Sequence, residues 1–358
     1  MSAVEAVIVA GGLGTRLRPL TEHVPKHLLP VAGIPFVAHQ ISKLAAAGVR
    51  RVVLATSYHA ERFEPILGDG AAWGVELAYV TETELLGTAG AIRNAAAALH
   101  GDDDPVVVLN GDVLSGHDLN AQLAHHRRHG AEVTLHLVTV EDARPFGCVP
   151  TDGEDRVTAF LEKSPDPVSP QINAGCYLFE PSMIALIPTG RAVSVERETF
   201  PMLLAEGRHI SGYVDESYWH DLGTPEALRR GSVDIVQGVA SSPAFTAPPA
   251  EAWVDAATEV PDGATVSGGS AIGPRVAIAA GAVVDGSIVC EDAVIETGAQ
   301  VHASVLGRGS RVGAGTVLRG VALGDRADIG AGCELLEGAR VWSDVVIPAG
   351  GVRFSADV

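Results

Sequence analysis

Apolar residues recur along this chain with two different periods, and the change of period divides it. Over the first two-thirds, short apolar runs at Glu5–Ala10, Arg51–Ser57, Val75–Val80, Pro105–Asn110 and Ala131–Val140 read as strands. Between them, FVAHQISKLAAAG, TAGAIRNAAAALH and LNAQLAHHRRHG read as helices, the first closed by Gly48 as a C-terminal cap. Alternation of this kind predicts an α/β domain, a Rossmann-like, mostly parallel sheet with helices on both faces. Further on the apolar spacing becomes six: Val260, Val266, Ile272, Ile278 and Val284, then Ile295 and Val301, Val312 and Leu318, and finally Leu323, Ile329, Leu335, Val341 and Ile347. Each break in phase loses one residue, as coils of 17 or 18 residues with an occasional shortened corner would. A β-sandwich would alternate with period two instead, so the hexads predict a C-terminal left-handed parallel β-helix in which each coil stacks on the last. Val239–Ala252, rich in Ala, Ser and Pro, separates the two textures. The expected boundaries are a catalytic domain over 1–238, a linker over 239–253 and a β-helix over 254–358.

Composition narrows the partners. The 358 residues carry a formal charge of −19, which argues against non-specific binding to nucleic acid or to an anionic membrane. An anionic ligand must therefore be held by a local cluster of cations. The amino terminus lacks a basic signal region and no apolar run reaches the ~20 residues that span a bilayer, so a cytoplasmic setting is expected. Cys148, Cys176, Cys290 and Cys333 lie far apart without metal-ligand spacing and read as small core residues in a reducing compartment. Of the 25 basic residues only Lys26, Lys43 and Lys163 are lysines. Lys43 reads as a solvated position on a helix, whereas Lys26 and Lys163 fall inside motifs.

The first motif follows the first strand: VIVAGGLGTRLRPLTEHVPKHLLP, from Val7 to Pro30. It lacks the GK[ST] ending of a P-loop and the spacing of a dinucleotide fingerprint. Its chemistry is still that of an anion cradle. Gly11, Gly12 and Gly14 let backbone N–H groups approach closely, and Arg16 supplies a forked donor for phosphate. This loop and the NGD of Asn110–Asp112 both lie at carboxyl ends of strands, where open α/β sheets bind ligands. HHRRH, His125–His129, has the composition of a metal cluster, but its helical setting makes a solvated face the expectation.

The stretch GGLGTRLRPLT…PK resembles the signature of the sugar-1-phosphate nucleotidylyltransferases. LGTAGAI, LNGDVL, FGCV, FLEK, INAGCYLF and YWHDLGTP match later family motifs in order, from about Val7 to Pro225, and the hexapeptide tail is similar to the GDP-mannose pyrophosphorylase branch. The resemblance implies attack by a sugar-1-phosphate oxygen on the α-phosphate of a nucleoside triphosphate, with pyrophosphate leaving. The nucleophile is already ionised, so catalysis is chiefly positioning and charge neutralisation. It implies a nucleotide site made of Ala10, Gly11, Gly12, Gly14, Thr15, Arg16, Glu82, Gly87, Asn110 and Asp112, with Arg16 on the triphosphate and Lys26 beside the α-phosphate. Mg²⁺ is the implied metal, held by Asp112 and Asp221. Gly147, Glu162, Lys163, Asn173 and Gly175 are implied for the sugar phosphate.

In pyrimidine-using relatives a glutamine reads the base, and here Glu82 of VTETELLG stands at the similar position. A carboxylate only accepts hydrogen bonds, so it suits the adjacent N1–H and amino donors of guanine and favours GTP. Glu84 is the alternative reader, and Glu82 facing water is the structural alternative. His27, where proline is common in the family, either tunes the local field or points outward. Mannose-1-phosphate is the implied acceptor, with glucose-1-phosphate or a cyclitol phosphate as alternatives. A homo-oligomer, dimer or tetramer, is also implied. Two other classes stay open. A hexapeptide acyltransferase has only His302 as a base in the coils, and a catalytically silent regulatory subunit would lack the lysine or a metal aspartate, none of which is missing.

Overall fold

The computed structural model describes residues 4–101 and 104–352. The chain divides into two compact units, Met1–Gly12 with Gln40–Trp219, and Leu13–His39 with His220–Val358. The first unit is built on a nine-stranded sheet. At its centre β1 (Ala6–Ala10) lies parallel between β2 (Arg51–Thr56) and β4 (Val106–Asn110), and β3 (Glu76–Thr81) extends the sheet parallel to β2. The inner positions of the central strands are aliphatic, as a sheet covered on both faces requires. Beyond β4 the sheet turns antiparallel through β8 (Gln171–Phe179), which pairs with β5 (Val133–Thr139) and with the short β6 (Gly147–Cys148), itself paired to β7 (Leu161–Glu162). The strand β9 (Ile210–Val214) closes the far edge parallel to β5.

Helices α1 (Phe36–Ala46), α2 (Gly87–Ala96) and α3 (Leu119–His129) connect the strands. The ends of α3 show why it forms where it does. The Asp118 carboxylate accepts from the N–H groups of Asn120 and Ala121, and Gly130 takes the left-handed conformation that ends the helix. Val7, Val53, Val108, Leu135, Tyr177, Phe179 and Phe200 are fully buried in the core that results.

The second unit is a parallel β-helix with three sheets of short strands, led by α4 (Pro225–Val236), whose first turn is capped by Thr224. Coil lengths follow from the register. Ile288 pairs with Val305 and Val305 with Ala322, 17 residues apart, while Trp253 pairs with Ala271 and Ala322 with Arg340, 18 apart. The hexad residues stack as expected: Val284, Val301, Leu318 and Leu335 form one interior column, and Ile295, Val312 and Ile329 another. Val289 and Leu306 fill the places where the six-residue grid breaks, five residues after Val284 and Val301. Val260 departs from expectation: it is exposed and not part of the interior column.

Two other expectations are corrected by burial. Lys43 is not solvated, because its Nζ donates to the Ser115 carbonyl at 2.8 Å and lies 2.8 Å from His117 Nδ1, and burial pulls it down to about 8. His125 and His126 of HHRRH are buried, and His126 bonds Thr134 and Glu180 through its two ring nitrogens. The four cysteines are free and buried. Among the described residues no helix is long and apolar enough to cross a membrane.

Buried imidazoles make folding sensitive to acid. Burial lowers His39 and His125 to about 4 and His136 to about 3. Above pH ~6.5 both folded and unfolded forms of these rings are neutral and pH has no effect through them. Below it the unfolded chain takes up protons that the folded chain refuses, so stability falls from pH ~6.5 towards 4, by about 3 kcal/mol for His39 alone. Thermal unfolding across that interval should show a steadily falling Tm, and a constant Tm would mean that the rings are protonated in the folded protein.

Candidate active site

The carboxyl ends of β1, β2 and β4 set the site in the first unit. Gly11 continues β1, and its carbonyl accepts a short hydrogen bond from Ser57, the residue after β2. A Cβ on Gly11 would stand 3.0 Å from Ser57 Oγ and 3.8 Å from Glu82 Oε2, so the absent side chain is what lets the loop lie against both. Glu82 follows β3, anchored by its N–H to the Thr56 carbonyl at 2.8 Å. Its Oε2 accepts from the Leu86 N–H at 3.2 Å, while Oε1 is buried with no hydrogen-bond partner among the described residues. Burial raises its pKa, partly offset by the Leu86 N–H. Glu82 is only 9% exposed, whereas Glu84 faces solvent, so the water-facing alternative for Glu82 does not hold.

Gly87 opens α2 at a positive φ of 69°, with the Val193 carbonyl 2.6 Å from where a Cβ would be. The glycine is thus required by packing against the 193–199 segment. Thr88 joins that packing, donating to Glu196 and accepting from the Val195 N–H.

Asp112 sits in the turn after β4, and its neighbours hold that turn in place. Gly111 N–H donates to the Val9 carbonyl at 2.9 Å, and Gln40 Nε2 of α1 donates to the carbonyls of Asn110 and Val113, at 2.8 and 2.9 Å, on either side of Asp112. Gln40 is a support of this turn that the sequence pattern does not reveal. It sits in a plain amphipathic helix, and only the tertiary fold brings it to the turn. Asn110 Oδ1 is buried without a partner among the described residues, while its Nδ2 donates to the Tyr177 hydroxyl.

Tyr177 also accepts from Asn173 Nδ2 at 2.8 Å, and Asn173 Oδ1 accepts from the Gly175 N–H at 3.1 Å. The register of β8 against β5 shifts between Asn173 and Tyr177, and Gly175, with φ of 75°, lies against Asn110, where a Cβ would approach to 3.1 Å. The INAGCY motif is therefore a bulge joined to Asn110 through one phenol. Across β6 and β7, Glu162 faces Gly147, and a Cβ there would meet Glu162 Oε2 at 2.9 Å. Burial, then neighbouring Glu196, raises the Glu162 carboxyl. Glu196 is a second acid near the site that no motif signalled. Lys163 follows at a φ of 51° with its side chain exposed.

In the second unit, Gly14 adopts a φ of 63° and its carbonyl accepts from Thr21 Oγ1 at 2.8 Å. A Cβ on Gly14 would lie 3.2 Å from Lys26 Cβ, so the turn and the lysine share one tight corner. Thr15–Leu17 forms a single 3₁₀ turn carrying Arg16. Arg16 meets Asp221 at 3.8 Å, and Asp221 Oδ1 accepts from the Gly223 N–H at 2.7 Å. The Arg16 side chain is 64% exposed, so the ion pair is worth about 0–1 kcal/mol and can yield to a ligand. A side chain at Gly223 would collide with the Arg16 guanidinium. His27 is buried, which removes the outward-pointing alternative for it. Each sequence-implied residue thus falls within one of these two groups: Ala10, Gly11, Gly12, Glu82, Gly87, Asn110, Asp112 and the sugar-phosphate set in the first unit, and Gly14, Thr15, Arg16, Lys26 and Asp221 in the second.

Comparison with known proteins divides the chain where its texture changes. Residues 5–238 match the nucleotidyl transferase family model, and residues 249–349 match that of the GMPPB C-terminal domain. The chain is 56% identical to a mannose-1-phosphate guanylyltransferase of Mycobacterium tuberculosis over 99% of both chains. It is 38% identical to the catalytic subunit beta of the mannose-1-phosphate guanylyltransferase of Drosophila pseudoobscura pseudoobscura, over 64% of this chain and 62% of that one. Among solved structures, HddC from Yersinia pseudotuberculosis complexed with GMP-PN is similar with a TM-score of 0.56 and 27% identity, over 64% of this chain and 98% of that one.

The Gln40 clamp can be tested by stability alone. Gln40→Met keeps the side-chain length and removes both donors, leaving two carbonyls short of a partner at a cost of about 1–3 kcal/mol. Urea unfolding should show that loss, and an unchanged midpoint would mean that the turn around Asp112 is held without Gln40.

Proposed function

This chain belongs to the nucleotidyl transferase family, and on that premise we propose that it transfers the guanylyl group of GTP to mannose-1-phosphate, giving GDP-mannose and pyrophosphate. One observation carries the reading: likeness to a guanylyltransferase at 56% identity over 99% of both chains, so that catalytic domain and β-helix are matched together. The local chemistry supports it. Glu82 presents a buried carboxylate oxygen lacking a donor, and guanine offers two adjacent donors on one edge. Uracil, thymine and adenine offer no such pair.

In the reaction a phosphate oxygen of the sugar-1-phosphate forms a bond to the α-phosphorus of GTP as the bond from that phosphorus to the β-phosphate bridging oxygen breaks. No proton has to be removed from the nucleophile at neutral pH. The protein's task is to align two anions and to offset their repulsion. Gly11, Gly12 and Gly14 supply backbone approach for the nucleotide. Arg16, released from its loose pair with Asp221, takes the triphosphate, and Lys26 offsets charge at the α-phosphate. Glu162 accepts from sugar hydroxyls beside the space left by Gly147, with Lys163 for the sugar's phosphate.

Asp112 and Asp221 offer carboxylate oxygens only, the donor chemistry that suits Mg²⁺. They are the residues that would hold it. When bound, the ion would polarise the phosphates and neutralise developing charge. Gly223 N–H orients Asp221 for this, and the Gln40 clamp fixes the turn that carries Asp112. Four free cysteines suit a reducing, cytoplasmic setting.

Pyrophosphate release with GTP, ATP, UTP and dTTP, each paired with mannose-1-phosphate, glucose-1-phosphate and a cyclitol phosphate, tests the assignment. GTP with mannose-1-phosphate should be fastest. Lys26→Ala and Asp112→Asn should each lower kcat by about a hundredfold or more with the fold intact by circular dichroism. No release from any pair would replace the enzyme reading with that of a silent subunit, and near-normal rates in either variant would remove that residue from the mechanism.

A further inference from the structure

The HHRRH segment at the end of α3 takes no part in the transferase chemistry, and its first two histidines face protein instead of water. His125 and His129 are four residues apart on one helix face, with rings stacked at 4.1 Å and 15°. Asp155, at the turn between the residues bridged as Thr151 and Val157, brings a carboxylate to the same place. One ligating atom from each of the three lies within 4.8 Å of the other two. His125 is buried, His129 half-buried and Asp155 exposed, so the cluster opens to solvent on one side.

The protons around His125 are arranged as a metal ligand requires. Ser211 Oγ donates its single hydrogen to the Asp155 carbonyl at 3.3 Å, so toward His125 Nε2, 2.8 Å away, it can only accept. Nε2 therefore carries the hydrogen and Nδ1 keeps the lone pair. Arg128 agrees from the other side, since its guanidinium donates to Nδ1 at 3.3 Å. An oxygen partner on the far ring nitrogen that fixes tautomer and orientation is the usual support behind a metal-bound histidine. The same serine ties that ring to the turn carrying the carboxylate.

We propose that His125, His129 and Asp155 form a binding site for a zinc-class divalent transition-metal ion, distinct from the Mg²⁺ site of the transferase reading. Two imidazoles and one carboxylate suit zinc, whereas magnesium prefers oxygen alone. With bonds of about 2.0–2.1 Å in a tetrahedral shell, donors stand roughly 3.4 Å apart, so the cluster must close by about 1 Å on each side. His129 and Asp155 have the freedom to move, and His125 is the fixed member. Water would complete the shell. Arg128, exposed on the surface, must swing away from Nδ1, and it is the competitor that limits affinity. Bound metal would staple α3 to the 152–156 turn.

The full chain, stripped with chelator and desalted, is titrated with zinc chloride by calorimetry, and its Tm is followed with zinc and separately with magnesium. One zinc per chain is expected, with a rise in Tm that an equal concentration of magnesium does not give. His129→Ala and Asp155→Ala, both outside the core, should each weaken binding about tenfold or more, while Arg128→Ala should tighten it several-fold. Pyrophosphate release with magnesium should be unchanged in all three variants. The proposal is overturned if zinc fails to bind, or if the wild type and the His129 and Asp155 variants bind it equally, which would put the ion elsewhere.

Discussion

The parallel pairing of β1 between β2 and β4 is the constraint on which the site depends. It brings Ala10 beside Thr56 and Val9 beside Asn110, so three strand ends open side by side. From those ends come Gly11, Ser57 and the turn of Asp112, and β3 adds Glu82 one strand further out. Because the sheet is buried on both faces, a shift of register would drive polar loop residues into the core, and the aliphatic strands fix the site as firmly as they fix the fold. The clamp from Gln40 and the bond from Gly111 to Val9 then hold the Asp112 turn to within hydrogen-bond tolerance.

Charge is the second constraint. For the proposed reaction, a chain of net −19 has two anionic substrates to hold and no bulk attraction to hold them with. The molecule answers locally. Arg16 is kept near Asp221 by a pair weak enough to exchange for a ligand, and Lys26 is packed into the corner made by Gly14. Glu82 shows the complementary device, a carboxylate held out of water with one oxygen unsatisfied, which favours a ligand that brings donors to it.

Much of this was legible in the sequence because it rests on local pattern. The hexads from Val266 to Ile347 map onto the stacked columns, since each interior position of a β-helix must be apolar wherever the coil turns. The strands of the α/β unit followed their aliphatic runs for the same reason. What escaped were tertiary facts. Lys43 and His125 lie on helices whose local pattern reads as solvated, and only the packing of neighbouring segments, 115–117 beside Lys43 and β9 beside His125, buries them. Gln40 and Glu196 belong to no motif, and their roles arise from contacts with segments about 70 and 108 residues away in the chain. Choosing between Glu82 and Glu84 needed the tertiary structure: two residues apart, they would share one face of a strand, and it is the bend at 83–84, beyond the end of β3, that leaves Glu82 buried and Glu84 exposed.

The central claim, that a buried carboxylate with one oxygen unsatisfied selects guanine, is tested most directly by comparing GTP with inosine triphosphate, which keeps N1–H and lacks the exocyclic amine. Wild type should use inosine triphosphate about ten- to a hundredfold less efficiently in kcat/KM, since one donor to a buried acceptor is lost. In Glu82→Gln that difference should collapse. Equal use of both nucleotides by the wild type, or an undiminished preference in the variant, would contradict the account.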